Sequence, residues 1–301
     1  NANKFAMAAM EASLQLRNVT PQLTLRFYEG QDEKLMDKAI SMIGEGIVYP
    51  MLYNDDVNIP AVSNAFDIPE KEAVNYVPFG CGEYTIYHKS VGTPSGVINL
   101  LQALNVTLHG GVDPKTGKKQ GLDTGNPDNF RSFDQLMNAY KMQVQYHVEQ
   151  LAYQEELEYK IAAQTSPFLF LSMLYDDCIE QGKPVFDGGV RYLDGTLETY
   201  GNTNTADSLF AIKKLVYDEK RFTLNELVAM LDADFIGYEK EKKILLHAPK
   251  FGNDKEEADA MKVEVDRHVS LVTLNMKEKT GLHSYLIVVI NNNANTVMGR
   301  H

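Results

Sequence analysis

The sequence predicts an α/β fold with a parallel sheet, because long helical segments alternate with short, wholly apolar ones. Residues 5–17 carry apolar side chains at helical spacing, and residues 32–43 form an amphipathic helical pattern that ends near Gly44. Residues 285–290 (YLIVVI) are instead a continuous apolar run between Ser and Asn, which is typical of a strand buried on both faces.

The remainder of the first half contains one predicted strand and two predicted helices. The stretch IVYPMLYND (47–55) is predicted as a short buried strand that leads to a turn. Residues 67–76 are predicted as a short helix with Pro69 in its first turn, and residues 95–108 as a longer helix. Residues 109–130 are polar and rich in turn residues, so they are predicted as a surface loop.

The second half is predicted to be mainly helical. Ser132 with Gln135 and Thr223 with Glu226 both fit capping boxes, in which the side chains at a helix start satisfy backbone N–H groups. The stretch VFDGGVRY is predicted as a strand or turn near the core. Helices are predicted over about 132–163, 166–182, 203–217 and 254–278.

Composition excludes several classes of protein. The 301 residues include 29 basic and 41 acidic side chains, a formal net charge of −12, which argues against a nucleic-acid or anionic-membrane partner. No apolar run approaches the roughly 20 residues that span a bilayer. Only two cysteines occur, outside any CxxC or Cys/His cluster, so no disulfide framework and no metal site are predicted. A reducing cytoplasm is the expected compartment.

The most unusual stretch is YVPFGCGEY (76–84), which places Cys81 between two glycines. Glycines without Cβ atoms allow close approach of the backbone or positive φ angles, and they make a poor packing element. Residue type alone leaves Cys81 open between a reactive thiol and a packed one. Cys178 lies at a predicted helical position and is interpreted as a small core residue.

Glu83 follows Cys81 by two residues. In an extended segment the side chains of residues i and i+2 point the same way, which would bring thiol and carboxylate to one cavity. The alternative is an exposed surface glutamate, the more common state of this residue type. A cysteine hydrolase would also need a histidine partner, and no sequence pattern selects one of the seven histidines.

Several stretches in order along the whole chain together resemble the glycyl radical enzymes of the pyruvate formate-lyase superfamily. The stretches are MEASLQLRNVTPQLTLRF, ISMIGEGIVYPMLYNDDVNIPAV, GCGEY, TLHGGVDPKTGKKQG, SPFLFLSMLYDDCIEQGK, GNTNTADSLFAIKKLVYDEKRFT and APKFGND.

The resemblance implies a ten-stranded α/β barrel built from two half-barrels, with a cysteine loop and a glycine loop meeting at its centre. Residues 1–301 are then expected to be a single fragment of this barrel, about one half-barrel plus the cysteine loop. The chain begins at Asn1 inside a predicted helix and stops at NTVMGRH, so both ends are expected to be internal. The glycyl radical domain is expected to be absent.

The resemblance also assigns roles. Cys81 is implied to become the thiyl radical that takes a hydrogen atom from substrate, and Glu83 to act as the neighbouring general base or acid. The loop neighbours implied to contact substrate are Phe79, Gly80, Gly82 and Tyr84. The implied partners are a small-molecule substrate, a radical S-adenosylmethionine activase that installs the glycyl radical, and a second copy of the enzyme in a homodimer. No bound cofactor and no metal are implied.

Two departures from the family pattern bear on the reaction. Gly82 and Tyr84 stand where the family usually has Val and Pro, and residues 91–96 (VGTPSG) lack the carboxylate that the dehydratases place there. Pyruvate formate-lyase itself uses two adjacent cysteines, which this chain does not have, so acetyl transfer is disfavoured. The expected activity is a radical lyase or dehydratase, inactive as this fragment alone. A radical decarboxylase and a noncatalytic structural or interaction fragment are the alternatives.

Overall fold

The computed structural model describes residues 4–18 and 20–289 and divides the chain into two compact units, Asn1–Ser90 and Val91–His301. The helices of the first unit are α1 (Lys4–Leu16), α2 (Glu33–Gly44), α3 (Asp55–Phe66) and α4 (Glu70–Ala73). Its strands are β1 (Thr24–Phe27), β2 (Met51–Asn54), β3 (Tyr76–Phe79) and β4 (Glu83–Ile86).

Two small sheets form the strand part of the first unit. Strands β1 and β2 pair in parallel, with Arg26 opposite Tyr53, whereas β3 and β4 form an antiparallel hairpin. The predicted strand in 47–55 is confirmed as β2, but of its four residues only Tyr53 is buried. Helices α1 and α2 pack on each other through the buried residues Met10, Leu35, Ala39 and Met42.

The second unit consists of a three-stranded sheet and eight helices among its described residues. The strands are β5 (Ser90–Asn99), β6 (Tyr192–Tyr200) and β7 (Ser284–Val289), in the spatial order β5-β6-β7. The helices are α5 (Leu100–Leu108), α6 (Phe133–Thr165), α7 (Leu169–Ser172), α8 (Cys178–Gln181), α9 (Asn202–Ile212), α10 (Leu224–Asp232), α11 (Glu239–Leu246) and α12 (Glu256–Leu274).

The sheet of the second unit confirms the predicted parallel pairing. Strands β6 and β7 run parallel, with Asp194 opposite Ser284 and Leu197 opposite Ile287. Burial on both faces is observed along most of β7, because Tyr285 on one face and Val288 on the other are buried, and it ends at Val289, which is 57% exposed. Residue 290, the last of the predicted strand, lies outside the described residues.

The long helices of this unit were predicted well. Helix α6 begins after Ser132, whose Oγ accepts a hydrogen bond from the N–H of Gln135. The capping box at Thr223 and Glu226 is complete, and helix α10 follows it. No helix in the described part of the chain has both the length and the hydropathy needed to cross a bilayer.

Two predicted helices are wrong in part. Residues 95–99 belong to strand β5, and the helix begins only at Leu100. The helix predicted over 166–182 is reduced to the two single turns α7 and α8, because Phe168 and Asp177 adopt φ angles of 49° and 75° that interrupt it.

A buried polar cluster surrounds Glu155 of α6, which is fully buried. The Tyr159 hydroxyl, at 3.0 Å, and the Thr196 N–H, at 3.2 Å, donate to its Oε1 atom. Within the described residues, its Oε2 atom and the Tyr285 hydroxyl have no hydrogen-bond partner. Burial is the main cause that raises the pKa of Glu155 to about 8, so the folded protein holds this side chain protonated at neutral pH.

Replacing Glu155 with glutamine is expected to stabilise the protein near and above neutral pH. With a folded pKa of about 8 and an ordinary value of 4.5 when unfolded, this group's contribution to stability is greatest below pH 4.5 and is lost as pH rises to 8. E155Q keeps the Oε1 acceptor and removes that loss, which is about 3 kcal/mol at pH 7. Thermal unfolding at pH 5 and pH 8 checks this expectation, with E256Q, which neutralises an exposed glutamate of helix α12, as the control. Equal pH dependence in E155Q and the parent protein would contradict it.

Candidate active site

The cysteine stretch forms the tip of the β3–β4 hairpin. Phe79 stands opposite Glu83, and the three-residue turn between them contains Gly80, Cys81 and Gly82. The N–H of Gly82 closes the turn by donating to the carbonyl of Phe79 at 2.9 Å. The two glycines have φ angles of 54° and 123°, which side-chain-bearing residues rarely adopt, so the chain can turn here only because both are glycine.

Arg26 fixes the base of the hairpin. Its guanidinium donates to both carboxylate oxygens of Asp55, at 2.7 and 3.0 Å, and to the carbonyls of Val74 and Tyr76, both at 3.0 Å. The same group lies 3.9 Å from the centre of the Tyr76 ring, and the Tyr76 hydroxyl donates to Asp55 at 2.6 Å. This bidentate, charge-assisted network ties β1, the start of α3 and the start of β3 together.

The Glu83 carboxylate folds back over the turn. The residue is only 4% exposed, and its Oε2 atom accepts a hydrogen bond from the N–H of Gly82 at 3.0 Å. A Cβ atom added to Gly80 would lie 2.5 Å from the same Oε2, so the absence of a side chain at Gly80 provides the space for the carboxylate. The exposed alternative for Glu83 is therefore wrong.

The thiol and the carboxylate are brought together. The Cys81 Sγ atom and a Glu83 carboxylate oxygen lie within 4.8 Å of each other, close enough for both to face one small molecule. The sequence argument expected this from an extended segment, but the cause is the tight turn.

The other predicted loop neighbours are placed on both sides of the hairpin. Phe79 is 38% exposed on β3. Tyr84 is half-buried, and its hydroxyl donates to Asn58 at 3.0 Å. That all of these residues contact substrate stays a prediction.

Tyr53 is a neighbour of the hairpin that the sequence argument missed. It lies on β2, is 7% exposed, and packs edge-on against Tyr84 with a distance of 6.0 Å between ring centres. Burial first, and then the charges of Tyr84, Glu83 and Cys81, raise the pKa of Tyr53 to about 12. No local signal marks it, because only the fold brings β2 to the hairpin.

Comparisons with known proteins cover almost the whole chain. The family model described as "Pyruvate formate lyase-like" matches residues 1–299. Trans-4-hydroxy-L-proline dehydratase of Clostridioides difficile is 29% identical over 264 residues, and isethionate sulfite-lyase of Desulfovibrio desulfuricans is 32% identical over 254 residues. These matches include 87% and 82% of this chain but only 33% and 30% of the relatives, so the chain spans about a third of their length.

Solved structures give the same result. Hydroxyproline dehydratase of Clostridioides difficile, with trans-4-hydroxy-L-proline bound, superposes with a TM-score of 0.91 at 27% identity, over 99% of this chain and 38% of that one. The glycerol-bound, B12-independent glycerol dehydratase of Clostridium butyricum gives 0.86 at 30% identity, over 96% of this chain and 36% of that one. The predicted fold class, a helix-rich α/β part of the glycyl radical enzyme barrel, is confirmed. The chain belongs to the pyruvate formate lyase-like family of glycyl radical enzymes.

Proposed function

We propose that this chain is the cysteine-loop part of a radical dehydratase or lyase that acts on a small molecule. The observation that carries the proposal is the Cys81 thiol at the tip of a glycine hairpin, with the Glu83 carboxylate within 4.8 Å. The names of the relatives, which include dehydratases and a sulfite-lyase, support this class of reaction.

In the proposed reaction, Cys81 transfers a hydrogen atom and Glu83 transfers a proton. The Cys81 sulfur, as a thiyl radical, takes a hydrogen atom from a substrate carbon, so that a C–H bond breaks, an S–H bond forms and the radical moves to carbon. Glu83 accepts the proton from the heteroatom on that carbon. The bond to the leaving group on the adjacent carbon then breaks with both electrons going to the leaving group, which receives the proton from Glu83. The product radical finally takes the hydrogen atom back from the Cys81 thiol.

A glycyl radical would supply the oxidising equivalent that generates the thiyl form. Its glycine is expected outside these 301 residues, and a radical S-adenosylmethionine activase would install the radical. The position of Cys81 is compatible with this requirement, because its side chain is only partly buried and neither of its two neighbours in the turn has a side chain. A homodimer and a cytoplasmic location are part of the same proposal.

Two alternatives are less well supported. Acetyl transfer through paired cysteines would need a second thiol next to Cys81, but the neighbours of Cys81 are Gly80 and Gly82. A noncatalytic role in association is supported only by exposed apolar side chains, such as Leu169 at 65% and Phe170 at 74%. Neither alternative explains why the turn buries a carboxylate beside its thiol.

The test uses the complete protein, expressed anaerobically with its activase. We expect an organic radical signal in electron paramagnetic resonance and turnover, proportional to the spin count, of a compound in a panel of trans-4-hydroxy-L-proline, glycerol, 1,2-propanediol and isethionate. Failure of an active activase to generate the radical, or turnover independent of the spin count, would sink the proposal.

Replacing Gly80 with alanine is expected to lower kcat/KM about tenfold without preventing radical formation. The new methyl group needs the space of Glu83 Oε2 and must displace the carboxylate from its place beside Cys81. Gly46 is the matched control, because its φ angle of 79° imposes similar backbone strain but nothing lies within 4 Å of an added Cβ. If G46A and G80A lose the same activity, strain and not carboxylate displacement is the cause.

A further inference from the structure

We propose that Tyr53 is a substrate-binding residue of this site, whose hydroxyl donates a hydrogen bond to an oxygen atom on the substrate. The inference deepens the proposed function and rests on it. It also narrows the substrate class to hydroxylated small molecules.

Three tyrosines cluster at the hairpin, and two of them have hydroxyl partners. The Tyr76 ring lies 5.6 Å from the Tyr84 ring, which in turn lies 6.0 Å from Tyr53. The Tyr76 hydroxyl donates to Asp55 and the Tyr84 hydroxyl to Asn58. The hydroxyls of these two side chains are therefore already used within the hairpin and its surroundings.

Tyr53 differs from the other two. Its side chain is only 7% exposed, and its hydroxyl makes no hydrogen bond with any residue in the described part of the chain, yet the hydroxyl oxygen is not one of the fully enclosed polar atoms there. Burial therefore fixes the ring of Tyr53, while the polar end of the side chain stays open to a hydrogen-bond partner from outside the protein. This hydroxyl is therefore available to an oxygen atom of a molecule bound beside Glu83 and Cys81, whose charges act on Tyr53.

The chemistry around Tyr53 indicates what that molecule carries. Burial, followed by the charges of Tyr84, Glu83 and Cys81, raises the pKa of Tyr53 to about 12, so its hydroxyl stays protonated at neutral pH and can donate its O–H. Glu83 as a carboxylate can only accept. A substrate hydroxyl fits this pair, because it can donate its proton to Glu83 while its lone pair accepts from Tyr53.

The same arrangement has a consequence for the reaction. As Glu83 removes the hydroxyl proton, negative charge develops on the substrate oxygen. A hydrogen-bond donor already in place at that oxygen stabilises the charge more in the transition state than in the ground state. The loss of Tyr53 is therefore expected to lower kcat as well as raise KM.

The experiment compares Y53F, Y84F and Y49F in the complete, activated enzyme. Because the Tyr53 hydroxyl has no protein partner to lose, Y53F is expected to keep the melting temperature of the ligand-free protein, whereas Y84F loses its bond to Asn58 and melts lower. With the panel compound that the parent enzyme turns over, Y53F is expected to lose 10- to 100-fold in kcat/KM with an unchanged radical signal. Y49F, which removes a hydroxyl from an equally buried tyrosine, is expected to retain full activity.

Two results would overturn the role of Tyr53. A fall in the melting temperature of ligand-free Y53F that matches Y84F would show that its hydroxyl has a partner within the protein. An unchanged kcat/KM in Y53F would show that it does not bind substrate. Turnover that persists in C81A refutes the proposed function itself, whereas turnover that needs Cys81 but not the Tyr53 hydroxyl refutes only this inference.

Discussion

Replacing Cys81 with alanine is expected to leave the glycyl radical of the complete protein intact and to abolish turnover, by about four orders of magnitude or more. Alanine keeps the turn, because the positive φ angles belong to Gly80 and Gly82 and not to residue 81. What is lost is the only sulfur at the hairpin tip, and no other group in the turn can exchange a hydrogen atom with a C–H bond. The measurement is spin count and product formation on the same sample.

Cys178 provides the matched control. It lies on α8, is 3% exposed and packs in the core of the second unit, where burial is the main cause that raises the pKa of its thiol. C178A is expected to lose some stability through the small cavity but to keep its activity per spin. A C81A enzyme that retains several per cent of the parent turnover would contradict the assignment.

Replacing Glu83 with glutamine is expected to lower kcat about 1,000-fold, within the range that general acid–base groups contribute. The amide oxygen can still accept from the N–H of Gly82, so the loop conformation should be retained. The amide cannot accept the substrate proton, so the substrate radical would form but its leaving group would depart slowly. Radical formation and substrate affinity are therefore expected to change little.

The control for this variant is E70Q, which neutralises an exposed glutamate in the first turn of α4. It is expected to behave as the parent protein, which excludes a general effect of net charge. Equal activity of E83Q and the parent would show that another group moves the proton. A large rise in KM with unchanged kcat would show that Glu83 only binds substrate.

The sequence was sufficient for elements with a local signal. Helix α10 begins at a complete capping box and α12 has a long helical pattern, so both could be predicted without tertiary information. Strand β6 was not predicted beyond a strand or turn ending at Tyr192, because its sequence YLDGTLETY contains polar residues and a glycine. Those residues are buried through partners distant in the chain, such as Ser284, which donates to Asp194 at 2.8 Å.

The candidate site, too, could be predicted from the sequence only where the signal is local. The proximity of Cys81 and Glu83 could be predicted because the two residues lie only two positions apart in the sequence. The tight turn that causes this proximity could not be predicted, since its geometry depends on the pairing between β3 and β4. Tyr53 and the Arg26–Asp55 pair could not be found at all from sequence, because the parallel pairing of β1 with β2 and the packing of β2 on the hairpin bring them there.

The Glu83 carboxylate accepts a hydrogen bond from the backbone of its own turn. The proposed reactive pair is therefore held together by contacts other than those that would select a substrate. The carboxylate is held beside Cys81 by contacts within four consecutive residues, Gly80 to Glu83. In the proposed reaction, substrate-binding side chains outside this turn can therefore change without removing the contacts that hold the carboxylate beside the thiol. A family built on such a turn can acquire new substrates through mutations elsewhere, while the reactive pair is inherited as one unit.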